Sequence, residues 1–306
     1  MRVLMTGATG TIGLALADAL TARGDHVVAL SRDPERGQRV LGEGVEVHPW
    51  PDPEGASPPA EALAGADAVV NLLGEPVAQR WSDGAKQRIR DSRIRGTHML
   101  VGGLMALPAD GRPRALISQS ATGYYGPRGD APLDEQASPG DDFLAELTVA
   151  WEGEAASAEA SMRVVCTRTG VVLSPGGGAL AKMLPFFKLG IGGPVAGGQQ
   201  YVPWIHLDDV VGGFLHCLDH DGAAGAVNLT APNPVTNAEL SRALGHALSR
   251  PAVLPVPGAA VKLLYGEMAE MVTTGQRAIP AKLAELGYTF RHPEIEAALK
   301  DVLSDQ

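Results

Sequence analysis

The sequence predicts an α/β fold, a doubly wound parallel sheet carrying a smaller C-terminal substrate domain. Three observations carry that prediction. The chain opens on a short apolar run, Val3 to Met5, followed by Gly7, Gly10 and Gly13 and by a helical stretch from Ile12 to Leu20. Further apolar runs, His26 to Ser31, Asp67 to Leu73, Ala115 to Ser118 and Arg163 to Leu173, alternate with helical patterns. Such alternation marks parallel strands joined by crossover helices. With 306 residues and 45% hydrophobic content, the chain can bury one large core or two modest ones.

The first strand runs directly into Gly7, and the helix that follows starts bare of side chains. Gly7 makes the tight turn, Gly10 lets a diphosphate approach the backbone, and Gly13 lets the helix pack on the strand. Free backbone N–H groups and the helix dipole favour phosphates at that point. Glycines at this spacing also mark ordinary turns. A strand before and a helix after make the motif a dinucleotide site.

The second strand, His26 to Ser31, is ended by Arg32, Asp33 and Pro34. An NAD site places an acidic residue at this strand tip to bind the ribose 2′-hydroxyl. Here the tip is Ser31-Arg32, and Asp33 comes one residue too late. A hydroxyl beside a guanidinium suits a 2′-phosphate, so the expected cofactor is NADP(H). The alternative is a solvated turn arginine.

Val45 to His48 reads as a short third strand before the Pro-rich loop from Pro49 to Pro59, and Asp67 to Leu73 as a buried strand ending at Gly74. A helical stretch covers Ser82 to Leu107, and Ala115 to Ser118 is the next strand. Ligands of such sheets lie at the carboxyl ends of the strands, which puts Gly7, Arg32, Leu73 and Ser118 on one rim. After Arg163 to Leu173, read as one strand, comes a Gly- and Pro-rich region from Pro175 to Pro203. Trp204 to Val210 then starts a helix reaching about Leu218, with Asp208 and Asp209 as first-turn caps. Ala226 to Leu229 is a strand, Thr236 and Glu239 form a capping box, and a final helix covers Pro293 to Leu303.

A net charge of −10 without a long basic run argues against nucleic acid and anionic membrane as partners. No apolar stretch approaches bilayer length. The N-terminus lacks a signal-peptide pattern, and only Cys166 and Cys217 are present, so a cytoplasmic location is expected. No His/Cys/Asp grouping has metal-ligand spacing, and there is no Gly-x-Ser-x-Gly elbow. The expected partner is a small-molecule substrate, with a homodimer left open.

Several ordered motifs are more specific than the glycines alone. They are TGATGTIG at Thr6 to Gly13, SQSATGYYG at Ser118 to Gly126, RTGVVLSPGGG at Arg168 to Gly178, WIHLDDVV at Trp204 to Val211 and NLTAPNPVTNAEL at Asn228 to Leu240. With them the chain resembles the extended short-chain dehydrogenase/reductase superfamily, also described as the NAD-dependent epimerase/dehydratase family, over nearly its whole length. The WIHLDDV, APNPVTN and RPAVLPVP (Arg250 to Pro257) runs look like its atypical epimerase-like branch.

The resemblance implies a Rossmann domain over 1–173 with 204–229, and a smaller substrate or lid domain over 174–203 and 230–306. It maps cofactor contacts onto Gly7, Thr9, Gly10, Thr11, Ile12, Ser31, Arg32, Leu72, Leu73 and Ser118. Arg93 stands where many relatives have an asparagine, either meeting a phosphate or ribose or pairing at the surface. Val172 is placed at the nicotinamide face. Arg168 resembles an arginine that ends a late strand, and either binds a substrate anion or joins the two domains. Trp151 and Glu152 read as a helix-packing residue and a surface charge.

The superfamily's chemistry needs a serine, a tyrosine and a lysine four residues after the tyrosine. Ser120 matches the serine, but the other two positions read Phe143 and Leu147, and no tyrosine in the chain has a lysine four residues on. Three readings follow. Tyr124 or Tyr125 supplies the phenol from the loop after Ser120; His206 serves as acid/base, with a structural histidine that hydrogen-bonds the lid as the alternative; or the protein binds NADP(H) without turnover. The implied activity is oxidoreduction or epimerisation of a small polar, sugar-nucleotide-like substrate, with a non-catalytic NADP(H)-responsive sensor as the alternative.

Overall fold

The structure is a computed structural model and describes residues 1–304. Seven strands form one sheet: β1 (Arg2–Thr6), β2 (His26–Ser31), β3 (Val45–Pro49), β4 (Ala68–Asn71), β5 (Ala115–Ala121), β6 (Arg163–Thr169) and β7 (Gly225–Leu229). Their order is β3-β2-β1-β4-β5-β6-β7, with every neighbouring pair parallel. Strand order reverses between β1 and β4, the switch point at which open α/β sheets receive their ligands.

Both faces of the sheet are covered, which is why the strands read as continuous apolar runs. Val3 and Met5 of β1 pack with Leu16 and Leu20 of the helix Thr11–Ala22 and with Phe214 of the helix Leu207–Asp219. Leu4 points the other way, toward Leu100 and Leu104 of the helix Asp83–Ala106 and Ala155 of the helix Phe143–Ala156. Alternate residues of one strand thus anchor helices on opposite layers.

Four expectations are corrected. The run from Arg163 to Leu173 is two strands, broken at Gly170. A Cβ there would overlap the Pro203 carbonyl, and Val171 N–H donates to that same carbonyl at 2.6 Å. The chain leaves the large sheet, and Val171–Leu173 pairs in parallel with Trp204–His206. Trp204 therefore begins a strand, and the helix starts only at Leu207. The cap of that helix is His206, whose ring accepts from the Asp208 N–H, so the neighbouring carboxylates are not its caps. Finally, β5 runs three residues beyond Ser118, which lowers Ser118 beneath the rim.

A further core gathers Leu173, Leu180, Leu184, Trp204, Leu240, Leu244 and Leu299. It joins the helices Gly178–Lys188, Asn237–Ala247 and Ile295–Ser304, and the Thr236/Glu239 capping box forms at the start of the second. Asp209, 1% exposed, fastens the C-terminal segment to the helix Leu207–Asp219. Its carboxylate accepts from Tyr288 OH at 3.0 Å, Arg291 N–H at 2.8 Å and His292 N–H at 2.9 Å. Among the described residues, no helix is long and apolar enough to cross a membrane.

Candidate functional site

The glycine turn stands at the switch point. Gly7 has φ +62°, and a Cβ on it would overlap the Leu72 carbonyl beyond β4. A Cβ on Gly13 would overlap the Gly7 carbonyl, so the helix sits against the turn. Gly10 is different. It is exposed, its built Cβ would have only the Gly7 carbonyl at 3.4 Å, and it caps the helix without a side-chain bond. Thr9 and Thr11 are exposed beside it and Ile12 is half-buried. The Gly10 N–H donates to the Gly7 carbonyl at 3.0 Å, and the first N–H groups of the helix beyond it have no intrahelical acceptor, an open backbone that fits a diphosphate.

At the tip of β2, Arg32 is exposed and makes no hydrogen bond or ion pair among the described residues. Asp33 caps the helix Pro34–Leu41 by accepting from Arg36 N–H at 3.0 Å. Its carboxylate is thereby committed away from a ribose. The Ser31 hydroxyl donates to the Asp33 carbonyl at 2.8 Å and has to swing to reach a ligand.

Below the rim, a buried network sets the level of the cleft floor. Thr6 Oγ1 donates to Asn71 Oδ1 at 2.7 Å, and Asn71 Nδ2 donates to Thr97 Oγ1 at 2.9 Å and Ser118 Oγ at 3.2 Å. Trp151 Nε1 donates to Thr97 Oγ1 at 3.0 Å. Ser118, 1% exposed, has its hydroxyl turned inward to this network. Leu72 N–H donates to Thr6 Oγ1 at 3.0 Å, while Leu73 lies half-buried against Gly96. Arg93 is neither a surface ion pair nor a free cation. It donates to the Glu75 carbonyl at 2.9 Å, lies 5.2 Å over the Trp151 ring, and burial brings it down to about 10.

Above the floor, Ser120 Oγ donates to Glu152 Oε1 at 2.5 Å. Arg168 grips the same carboxylate, Nε to Oε1 and Nη2 to Oε2, each at 2.9 Å. Glu152 is thus no surface charge. Leu144, Thr148 and Glu152 share one helix face, and Leu144 and Thr148 meet Gly123 in the turn after β5. Phe143 instead packs edge-on against Trp81 at 5.1 Å, and Leu147 is buried. The helix therefore does present a polar group to Ser120, one and two turns beyond the positions that the family motif marks.

Arg168 also donates to Tyr125 OH and the Glu135 carbonyl, each at 3.2 Å, and its guanidinium lies 3.3 Å from the Tyr124 ring centre. Burial opposes its charge, but Glu152 outweighs this and holds it above the ordinary arginine range. With its donors so engaged, Arg168 joins β6 to the helix Phe143–Ala156. Tyr125 is fully buried and donates to Asn228 Oδ1 at 2.7 Å. Burial pushes its phenol up to about 12. Fully buried and bonded to Asn228 and Arg168, Tyr125 packs within the fold, and half-buried Tyr124 is the more open phenol on this loop.

His206 is 3% exposed and stacked on His292 with ring centres 3.7 Å apart. Asp208, His292 and Asp301 surround it. Its Nδ1 accepts the Asp208 N–H at 3.0 Å, so a neutral ring carries its proton on Nε2, which faces Asp301 Oδ2 at 3.2 Å. That tautomer has no lone pair on Nε2 for a metal. Burial first, then His292, lowers its pKa, and the ring serves as a cap and packing unit. Val172 lies half-buried in the strand paired with Trp204–His206.

Sequence reasoning missed Glu152, for which the only local signal was its place two turns beyond Leu144 on one face. It also missed Gly170, where a glycine inside a strand pattern signals close backbone approach.

Comparison with known proteins agrees with this architecture. The model of the NAD dependent epimerase/dehydratase family matches residues 3–230, and that of a domain of unknown function (DUF1731) matches 256–302. The chain is 40% identical to the chloroplastic epimerase family protein SDR39U1 homolog of Arabidopsis thaliana, over 99% of this chain and 87% of that protein. The crystal structure of human epimerase family protein SDR39U1 (isoform 2) with NADPH matches with TM-score 0.89 and 37% identity, covering 100% of both chains. A nucleoside-diphosphate sugar epimerase from Corynebacterium glutamicum matches with TM-score 0.77 and 33% identity, covering 100% of this chain and 59% of that one. With its sequence motifs, its parallel sheet and these full-length likenesses, the chain belongs to the NAD dependent epimerase/dehydratase family.

Proposed function

We propose that the chain binds NADP(H) and performs oxidoreduction or epimerisation on a small polar substrate of sugar-nucleotide-like kind. The observation that carries this reading is the bare, glycine-capped helix start at the β1/β4 switch point. Arg32, without a partner among the described residues, the capping use of Asp33 and the NADPH held by the human relative support the choice of NADP(H). Gly7, Thr9, Gly10, Thr11 and Ile12 would hold the diphosphate, Ser31 and Arg32 the 2′-phosphate, and Leu72, Leu73 and Val172 the walls. When bound, the nicotinamide supplies a hydride donor or acceptor. The segments 174–203 and 230–306 form the substrate side, and Lys182 and Glu267 reach from them to the Ala78 carbonyl and to Lys86. Buried free thiols at Cys166 and Cys217 suit the cytoplasm.

Because Ser120 already donates to Glu152, its lone pairs are left to accept a proton from a substrate hydroxyl. That proton enters at Ser120 Oγ while the serine proton passes to the Glu152 carboxylate, and carbonyl reduction runs the reverse transfer. This relay stands in for the tyrosine and lysine, with Tyr124 beside it. A non-catalytic NADP(H)-responsive role is the second reading, favoured by Phe143 and Leu147, which offer neither phenol nor ammonium. A panel of carbonyl compounds and sugar nucleotides, followed by NADPH absorbance, separates the two. Turnover lost in both Ser120→Ala and Glu152→Gln with NADPH binding intact supports the relay; tight NADPH binding without any turnover favours the sensor.

A further inference from the structure

The turn Ser174–Gly178 leaves the strand Val171–Leu173 and opens the helix Gly178–Lys188. That helix is capped by Gly177 without a side-chain bond, and Gly176 and Gly178 have φ of +65° and +63°. Ser174 is 1% exposed, and its hydroxyl has no hydrogen-bond partner among the described residues. Buried hydroxyls are nearly always paired, so the Ser174 hydroxyl is free to take a partner from outside the chain.

A Cβ built on Gly177 would stand 2.9 Å from Ser174 Oγ and 3.2 Å from Thr11 Oγ1. The space where Gly177 has no side chain is therefore bordered by the orphan hydroxyl and by the first residue of the glycine-turn helix. Two helices, each starting on a glycine without a side-chain cap, bring their N-termini together at Thr11. Each end carries a partial positive charge, and two such ends repel unless an anion lies between them.

We propose that the Ser174–Gly178 turn is the second half of a diphosphate clamp. The Ser174 hydroxyl and the first backbone N–H groups of the helix Gly178–Lys188 hold the cofactor diphosphate from the side opposite Gly10, Thr11 and Ile12. The inference rests on the NADP(H) reading above and adds a second wall to that site. Reaching the hydroxyl requires the Gly176–Gly178 backbone to shift off it, a movement that left-handed glycines allow.

The test is calorimetric binding of NADPH, 2′-phospho-ADP-ribose, 2′,5′-ADP and UDP-glucose to wild type, Ser174→Ala and Gly177→Ala. Ser174→Ala is expected to weaken NADPH and 2′-phospho-ADP-ribose about tenfold, the loss of one bond to a charged group. It leaves 2′,5′-ADP, which lacks the diphosphate, unchanged. Gly177→Ala, which displaces the hydroxyl, follows the same pattern. Without ligand, Ser174→Ala unfolds no earlier than wild type, since its hydroxyl loses no internal partner. Unchanged affinity for all four ligands overturns the clamp while leaving the NADP(H) reading intact, as does a loss confined to NADPH. Weakening of UDP-glucose alone moves the turn to a substrate diphosphate and overturns the assignment. Wild type that binds none of the three adenosine ligands overturns both readings.

Discussion

Ser120 donates its hydroxyl proton to Glu152 across 2.5 Å, and Glu152 in turn is held at both oxygens by Arg168. A carboxylate gripped at both oxygens keeps its direction. It is therefore a fixed acceptor at the end of β5, where the family's usual motif would set a tyrosine.

The same grip makes Glu152 structurally expensive to remove. Its side chain is 15% exposed and that of Arg168 only 5%, so truncation leaves a buried guanidinium without its counter-charge. Glu152→Ala is expected to cost about 3 kcal/mol in urea denaturation. Glu152→Gln, which keeps the shape and one acceptor, is expected to cost clearly less. Equal and negligible costs for both would show that the pair is not a fixed unit.

Asp209 gives a second stability prediction. Asp209→Ala strips the acceptor from Tyr288 OH, Arg291 N–H and His292 N–H at once. About 3 kcal/mol of destabilisation is expected, since buried donors are left unpaired. Limited proteolysis should then cut first near 286–294. Cleavage elsewhere, at unchanged stability, would deny Asp209 its anchoring role.

His206 governs a pH effect whose sign follows from its burial. Its folded pKa lies below the ordinary histidine value of 6.5, because burial and His292 outweigh Asp208, Asp209 and Asp301. Arg291, 3.5 Å from Asp208, adds positive charge on the same side. The unfolded chain thus takes up a proton more readily. This contribution to stability is complete above about pH 6.5 and is lost as pH falls through the folded value. His206→Asn keeps a good helix cap and removes the titration. Thermal melts between pH 7.5 and about 5 should show a shallower decline for the variant than for wild type, and parallel declines would refute the assignment.

Legibility in the sequence followed the range of each interaction. Gly7, Gly10 and Gly13 act within one turn, β2 ends at Ser31 where Arg32-Asp33-Pro34 says it should, and Thr236 meets Glu239 three residues on. Each of these is local, so pattern and spacing suffice. Glu152 reads as a surface charge in the sequence because its partners, Ser120 and Arg168, lie on two different strands. Asp209 read as a cap because Tyr288 and His292 approach it only in the folded chain. Trp204 joined the helix pattern because a three-residue strand has too few alternations to register, and its pairing partner appears only once Gly170 breaks the preceding run. Tyr125 and Tyr124 are indistinguishable as neighbours in sequence, and only burial separates them.

A diphosphate bound at Gly7 to Ile12 and a 2′-phosphate bound at the tip of β2 together make the proposed cofactor site. Its most direct test is calorimetric titration of NADPH and NADH into wild type and Arg32→Ala. Wild type is expected to bind NADPH at least about tenfold more tightly than NADH, the worth of a charge-assisted contact. Arg32→Ala should remove that preference while leaving NADH affinity in place. Equal affinity for the two cofactors in wild type, or a preference that survives Arg32→Ala, would contradict it.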